Sequence, residues 1–134
     1  IIEKEGVTDE DRKLISGVFY NRMNNDMPLQ SDITVLYALG EHKELVSIKD
    51  TEVDSPYNLY KHVGLGPGPY NSPSLSAIQA AIYPTASDYF YFVADIETGN
   101  VYYATTLEEH EALVAKYVNK NSSQESSVSS SQAE

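Results

Sequence analysis

The 134-residue sequence contains no cysteine, no tryptophan and no long apolar run. Without cysteine the chain can form neither disulfides nor thiolate metal sites, and it has no cysteine nucleophile. No stretch reaches the roughly 18 apolar residues that a membrane-spanning helix requires. The sequence lacks an initiator methionine and opens inside an apolar pattern. We therefore expect a piece of a longer protein, with any membrane anchor in the missing part.

Basic residues and histidines are also scarce. Nine Lys and Arg stand against twenty Asp and Glu, which gives a formal net charge of −11. So few scattered cations cannot form the basic patch that nucleic-acid binding needs, so we expect no nucleic-acid partner. The three histidines form no close ligand pair, and no phosphate-binding glycine motif occurs, so we expect no metal and no cofactor. Eleven tyrosines would suit a carbohydrate groove or half-buried strands equally well.

Capping signals and apolar spacing predict helices in the first part of the chain. Thr8 can cap a helix whose apolar residues recur at helical spacing over 14–19. Arg22 falls within that apolar stripe, and we interpret it as structural support. A shorter helix is predicted over 33–40, with Ser31 or Asp32 as its cap and a glycine stop. A helical turn is predicted near residues 48–51.

The second part of the chain predicts a helix, a β-hairpin and a last helix. Ser72 and Pro73 favour a helix start, and a buried stripe would contain Leu75, Ile78 and Ile82. Alternating residues on both sides of a Thr-Gly-Asn turn predict a hairpin at about 89–105. Thr106 and Glu109 form a capping box for the last helix, where we interpret His110 as packed and hydrogen-bonded.

These elements predict an α+β fold, a mostly helical domain at 1–118 in which the C-terminal helix packs on the antiparallel hairpin. The remaining residues, 119–134, are rich in Ser, Asn and Gln and have almost nothing to bury. We expect them to form a disordered tail.

The chemistry left open by this composition is carboxylate chemistry. Two acids, Glu3 and Glu5, lie in the opening Ile-Ile-Glu-Lys-Glu run, and Asp32 is a possible second acid. Successive residues of a helix are about 100° apart, so Glu3 and Glu5 would point to nearly opposite sides and cannot both line one site. The residues alone do not choose between them.

A loop rich in glycine and proline spans residues 64–73. Its glycines permit unusual backbone angles, and its prolines stiffen the path. Such a loop can present main-chain groups to a ligand in a fixed arrangement, or it can simply connect two elements.

Taken together, these stretches resemble the endolytic murein transglycosylase family, the MltG or YceG-like proteins. The matching pieces are Ile-Ile-Glu-Lys-Glu at 1–5, Val-Phe-Tyr-Asn-Arg-Met at 18–23, Met-Pro-Leu-Gln-Ser-Asp at 27–32, Thr-Val-Leu-Tyr at 34–37, Ser-Pro-Tyr-Asn-Leu-Tyr at 55–60, Gly-Leu-Gly-Pro-Gly-Pro-Tyr-Asn-Ser-Pro at 64–73, Tyr-Phe-Tyr-Phe-Val-Ala-Asp at 89–95 and Thr-Leu-Glu-Glu-His at 106–110. The resemblance covers about residues 1–118. One departure is Gly66, where the family usually has proline.

The resemblance implies a lytic transglycosylase that cleaves the MurNAc–GlcNAc β-1,4 bond of nascent glycan strands, leaves 1,6-anhydroMurNAc ends and terminates strand elongation. It nominates Glu3, the first glutamate of the run, as general acid and then base. To hold a proton near neutral pH, Glu3 would need an apolar wall that raises its pKa, which Ile1 and Ile2 could begin. We expect the glycan to contact a set of polar and loop residues. These are Gln30, Asp32, Tyr37, Asn58, Tyr60, Gly68 and Asn71.

The resemblance also implies partners and a location. The partners would be peptidoglycan glycan strands and, as a second class, cell-wall synthesis proteins. A single-pass anchor in the missing N-terminal part would place this domain on the outer side of the cell membrane. The alternative is a non-catalytic glycan-binding or scaffold domain of a cell-wall synthesis complex, which would keep the groove and need no acid.

Overall fold

The computed structural model describes residues 1–43 and 45–118, and the predicted tail lies outside them. Within these ranges the fold is α+β, as predicted, and has five α-helices and one two-stranded sheet. The elements are α1 (Ile2–Glu5), α2 (Asp9–Asn24), α3 (Asp32–Leu39), a 3₁₀ turn (Asp50–Glu52), α4 (Leu75–Ile82), β1 (Tyr91–Ala94), β2 (Val101–Ala104) and α5 (Leu107–Tyr117). None of these helices is long and apolar enough to cross a membrane.

The long helix α2 starts where the sequence predicts. The Thr8 hydroxyl accepts a hydrogen bond of 3.1 Å from the Asp11 backbone N–H, which satisfies one of the free donors of the first turn. The Asp11 carboxylate accepts a hydrogen bond of 2.7 Å from the Tyr103 hydroxyl. Asp11 therefore ties the start of α2 to β2.

The predicted helix at 33–40 is also present, as α3. Ser31 is its N-cap residue, and Gly40 ends it in the left-handed conformation, with φ of 71°. Glycine adopts this conformation without the steric cost that a Cβ would impose. The 3₁₀ turn begins two residues later than the predicted helical turn.

The start and the buried face of α4 differ from the prediction. The cap is Ser74, whose hydroxyl accepts from the Ala77 N–H at 3.3 Å, and Ser72 lies outside the helix. The predicted stripe is exposed, at 70% for Leu75, 43% for Ile78 and 60% for Ile82. Ala77 and Ala80 are buried in its place. The small alanines face the rest of the fold, where they allow close packing, and the bulky residues are left outside it.

The main core lies between α2 and the hairpin. Phe19 of α2 packs edge-on against Phe92 of β1, with ring centroids 5.8 Å apart. The strands are antiparallel and pair Phe92 with Tyr103. The connecting turn contains Gly99 with φ of 79°, as the turn signal predicts. Ile15, Val18, Leu29 and Leu59 complete this core cluster.

The last helix covers the hairpin, and its predicted capping box between Thr106 and Glu109 is confirmed. His110 is 1% exposed and stacks on Tyr91 with centroids 5.1 Å apart. In the described part of the chain, neither ring nitrogen of His110 has a hydrogen-bond partner. The packed histidine is therefore confirmed, and its predicted hydrogen bond is wrong, because the neighbouring surface is an aromatic face.

Arg22 has the structural role that the sequence indicates. It is 2% exposed, and its Nη1 donates to the Leu29 carbonyl at 3.2 Å. The guanidinium carbon also lies 5.0 Å from the centroid of the Tyr91 ring. A carbonyl and an aromatic face thus compensate the charge inside the fold.

Candidate active site

A cleft of about 600 Å³ lies between α1, α2, α4 and the glycine–proline loop. Its lining is mostly apolar and consists of Ile1, Ile2, Glu3, Ser16, Phe19, Tyr20, Met23, Leu29, Leu65, Gly66, Gly68, Pro69, Tyr70, Asn71, Pro73, Ala77, Ile78, Ala81 and Ile82. Among these described residues Glu3 is the one carboxylate. The cleft therefore combines an apolar wall with a single acid, an arrangement that fits general acid–base chemistry on a ligand with apolar faces.

Glu3 is held from two sides. Its Oε1 accepts a hydrogen bond of 2.8 Å from the backbone N–H of Ser74, the cap of α4. Its Oε2 lies 3.4 Å from Nη2 of Arg12. The carboxylate thus sits at the N-terminal end of α4, where free N–H groups and the helix dipole favour an anion. It retains contact with solvent, since its side chain is 24% exposed.

These contacts lower the pKa of Glu3. The largest cause is hydrogen bonding from Ser74, first through its side chain and then through its backbone, and Arg12 adds to the effect. Loss of hydration acts in the opposite direction and is weaker. Ile1 and Ile2 do line the cleft, but the expectation that they raise the pKa of Glu3 is wrong in this arrangement, because Ser74 stabilises the ionised form.

Arg12 fixes the position of α1 as well as its acid. Its Nε donates to the Gly6 carbonyl at 3.0 Å, while its Nη2 reaches Glu3. A Cβ on Gly6 would lie 2.9 Å from the Arg12 Cγ. Glycine at this position therefore allows the end of α1 to rest directly on α2.

Glu5 and Asp32 form a second group of acids away from the cleft lining. Glu5 accepts a hydrogen bond of 2.6 Å from the Ser31 hydroxyl, and Asp32 accepts one of 2.6 Å from the Tyr60 hydroxyl. Helical geometry thus separates Glu3 from Glu5, as predicted. Burial raises the pKa of Asp32 to about 8, with a smaller contribution from Glu5 in the same direction. Asp32 therefore holds its proton at neutral pH, whereas Glu3 does not.

The predicted glycan contacts divide into two sets. Gly68 and Asn71 line the cleft together with Glu3. The lining does not include Gln30, Asp32, Tyr37, Asn58 or Tyr60. Asn58 is fully buried and donates to the carbonyls of Thr51 and Val53, at 2.9 and 2.8 Å. The structure thus gives Asn58 a role in holding its loop.

Tyr37 extends the cleft wall through two other tyrosines. Its ring centroid lies 4.9 Å from that of Tyr57 and 5.1 Å from that of Tyr70. Tyr70 lines the cleft, and its hydroxyl donates to the Tyr57 carbonyl at 2.8 Å. Tyr37 itself is 47% exposed. This cluster connects α3 to the glycine–proline loop and presents an exposed aromatic face beside the cleft.

Comparison with known proteins identifies the family of the chain. The model of the YceG-like family matches residues 1–116. The chain belongs to the YceG-like family. It is 56% identical over 124 residues to the endolytic murein transglycosylase of Streptococcus pneumoniae serotype 2 (strain D39), and 48% identical over 118 residues to that of Bacillus subtilis (strain 168).

These alignments cover 89% and 88% of the chain. The chain spans only 22% and 32% of the length of the two relatives. The crystal structure of a yceG-like protein from Listeria monocytogenes superposes with a TM-score of 0.81 at 58% identity, over 84% of this chain and 36% of that one. The predicted family is confirmed.

Three residues of this candidate site are not predicted from the sequence. Arg12 lies in an acidic helix start and carries no signal for its pairing with Glu3. Ser74 could have been found, because it is a possible N-cap two residues after Ser72. Ser16 stands within an apolar stripe, where a serine alone indicates nothing specific.

Proposed function

We propose that this chain is the catalytic domain of an endolytic murein lytic transglycosylase. Its substrate would be the MurNAc–GlcNAc β-1,4 bond of peptidoglycan glycan strands. The observation that carries the proposal is the position of Glu3, the one carboxylate among the described residues of the cleft lining. The family and the names of the curated relatives support the same activity.

One carboxylate is sufficient for this reaction. Protonated Glu3 donates its proton to the glycosidic oxygen as the C1–O bond of MurNAc breaks, and the GlcNAc unit leaves with a free 4-hydroxyl. The C6 hydroxyl of the same MurNAc then bonds to C1 and gives its proton to the Glu3 carboxylate. The products are a 1,6-anhydroMurNAc end and a protonated Glu3, with no water consumed. The intramolecular attack gains a high effective concentration, which removes the need for the second carboxylate of ordinary glycosidases.

The state of Glu3 in the free protein suits the second step. The contacts from Ser74 and Arg12 keep it ionised and ready to accept a proton. For the first step the substrate must raise its pKa. A glycan that fills the cleft excludes water and competes with the Ser74 N–H and with Arg12 for the carboxylate oxygens, and both effects favour the protonated form.

The cleft wall suits a sugar chain. Its apolar residues and the tyrosines Tyr37, Tyr57 and Tyr70 offer flat faces for pyranose rings, and the loop adds polar groups such as Asn71. Substrate contacts by Gln30, Asp32 and Tyr60 stay predictions.

The substrate class leads us to propose action on nascent strands at the outer face of the cell membrane, alongside cell-wall synthesis proteins. There the cleavage would terminate strand elongation.

The test is digestion of purified peptidoglycan followed by mass analysis of the new glycan ends. The wild type should give anhydro ends, which are lighter than hydrolysed ends by one water. Glu3→Gln should abolish their formation, since an amide cannot exchange the proton. Glu5→Gln is the matched control, two residues away and outside the cleft lining, and it should retain activity.

Anhydro ends that persist in Glu3→Gln would overturn the assignment of the acid, and an inactive Glu5→Gln would then assign that role to Glu5. Anhydro ends formed by neither the wild type nor the Glu5 control would overturn the activity itself.

One observation favours the non-catalytic alternative. In the free protein the contacts of Glu3 lower its pKa and keep it ionised, and a groove that only binds glycan needs no protonated acid. Glycan binding by the wild type without any turnover, and with equal affinity in Glu3→Gln, would support that function.

A further inference from the structure

The floor of the cleft contains a buried hydroxyl without a partner. Ser16 is 1% exposed, and its Oγ makes no hydrogen bond to any part of the chain that the structure describes. It belongs to the face of α2 that also brings Phe19, Tyr20 and Met23 to the cleft, at positions i, i+3, i+4 and i+7. A buried hydroxyl without a partner lowers stability, so an acceptor supplied by a bound ligand would offset that cost.

A second unpaired donor lines the same cleft from the loop side. The side-chain Nδ2 of Asn71 is buried and has no hydrogen-bond partner in the described residues. The Oδ1 of Asn71 is used, since it accepts a hydrogen bond of 3.1 Å from the backbone nitrogen of Ile1. Two residues of the cleft lining therefore carry a donor without a partner in the described residues, the Ser16 O–H and the Asn71 N–H, and both donor atoms are buried in the free protein.

The surroundings of these donors are apolar. Ala77, Ile78 and Ala81 of α4 face α2 across the cleft, and Glu3 supplies a negative charge at one side. A ligand group that suits both the unpaired donors and the apolar wall needs a hydrogen-bond acceptor with an alkyl group a few atoms away. An acetamido group has both, a carbonyl oxygen and a methyl group. A carboxylate would be repelled by Glu3, and an ammonium would lose its hydration against the alanine and isoleucine wall.

We propose that Ser16 and Asn71 bind the acetamido group of an N-acetylhexosamine, with its methyl group against the α4 wall. The inference rests on the proposed function and names the part of the glycan that this cleft recognises. Ser16 is a specificity-determining residue in this arrangement, since its hydroxyl makes its hydrogen bond only when the acetamido group is present.

The experiment measures binding of two oligosaccharides by titration calorimetry. The probes are an oligomer of N-acetylglucosamine and the de-N-acetylated oligomer of the same length. The wild type should prefer the acetylated probe. Ser16→Ala should lower that preference by about tenfold, the effect of one lost hydrogen bond. The control is Ser47→Ala, which removes a hydroxyl beside the 3₁₀ turn, outside the cleft lining, and should keep the wild-type preference.

Thermal unfolding separates recognition from folding. Ser16→Ala removes an unsatisfied buried hydroxyl, so its melting temperature should equal or exceed that of the wild type. An unchanged preference in Ser16→Ala, or a loss of preference that follows a lowered melting temperature, would overturn the inference.

Failure of the proposed function gives a different pattern. If the wild type prefers the acetylated probe and Ser16→Ala does not, but peptidoglycan yields no anhydro ends, recognition stands and the catalytic proposal falls. If anhydro ends form normally and Ser16→Ala binds like the wild type, the catalytic proposal stands and this inference falls.

Discussion

Mild acid should destabilise this protein through His110. Burial lowers the pKa of His110 from 6.5 to about 4, and the positive charge of the nearby Arg22 acts in the same direction. The imidazole stacks on Tyr91, and neither nitrogen has a partner in the described residues that could stabilise a proton. The folded protein therefore binds this proton less readily than the unfolded chain does.

The size and the pH range of the effect follow from the two pKa values. Between pH 6.5 and about 4 the unfolded chain binds more protons at His110, so the free energy of unfolding falls as the pH falls through this range. The pKa values differ by about 2.5, which corresponds to about 3 kcal/mol. A domain of this size has a total stability of about 5–15 kcal/mol, so the loss is a large part of it.

Urea unfolding from about pH 7.5 to about pH 4.5, on the wild type and on His110→Phe, measures the effect. Phenylalanine keeps an aromatic ring against Tyr91 and has no nitrogen to protonate. The variant should match or exceed the wild-type stability at neutral pH and should be more stable in acid by up to about 3 kcal/mol. The two carboxyl groups with shifted pKa values, Glu3 and Asp32, are present in both proteins, so their contributions cancel in the difference. A difference that stays constant with pH would refute the account of His110.

Three further changes test the fold. Gly17→Ala should lower the free energy of unfolding by about 1–3 kcal/mol in urea titrations, because the added Cβ would overlap the Thr85 carbonyl oxygen; unchanged stability would contradict the contact. Thr106→Ala should cost about 1 kcal/mol in thermal unfolding through loss of the α5 cap, and no change would mean the cap is not used. Asp32 binds its proton more tightly when folded, so its own contribution to the free energy of unfolding should decrease as the pH rises from 3.8 towards about 8, with a slope opposite in sign to that of His110. Asp32→Asn should lack this loss, and parallel pH curves for the two would show that Asp32 is ionised.

Local rules predicted most of the elements of the fold. The cap at Thr8, the stop at Gly40 and the capping box of α5 are all formed by residues within a few positions of each other. Such signals depend on backbone chemistry that the sequence displays directly. They therefore predict the helices and the hairpin without any information on tertiary contacts.

The errors arise where distant elements meet. Either Ser72 or Ser74 could cap α4, and Ser74 is the one whose backbone N–H also binds Glu3, a contact across 71 positions. The same helix turns its alanines inward, so the large residues that the sequence assigned to the core line a cleft or face solvent. Amphipathic spacing gives the faces of a helix, but the packing partner decides which face is buried.

The sequence predicts only part of the candidate site, because the rest of it depends on contacts between distant elements. The Ile-Ile-Glu-Lys-Glu run and helical geometry single out two acids on opposite sides, and family resemblance selects Glu3. The pairing of Glu3 with Arg12 and the unpaired hydroxyl of Ser16 depend on how α1, α2 and α4 come together. Neither the ion pair nor the unpaired hydroxyl can be predicted from the spacing of residues in the sequence.

The most direct test of the central claim, that Glu3 drives an intramolecular cleavage in this cleft, is digestion of peptidoglycan in heavy-oxygen water. Mass analysis of the new MurNAc ends reports whether the C6 hydroxyl or water attacked C1. The account predicts unlabelled anhydro ends from the wild type and none from Glu3→Gln. Ends that carry heavy oxygen, or anhydro ends that persist in Glu3→Gln, would contradict it.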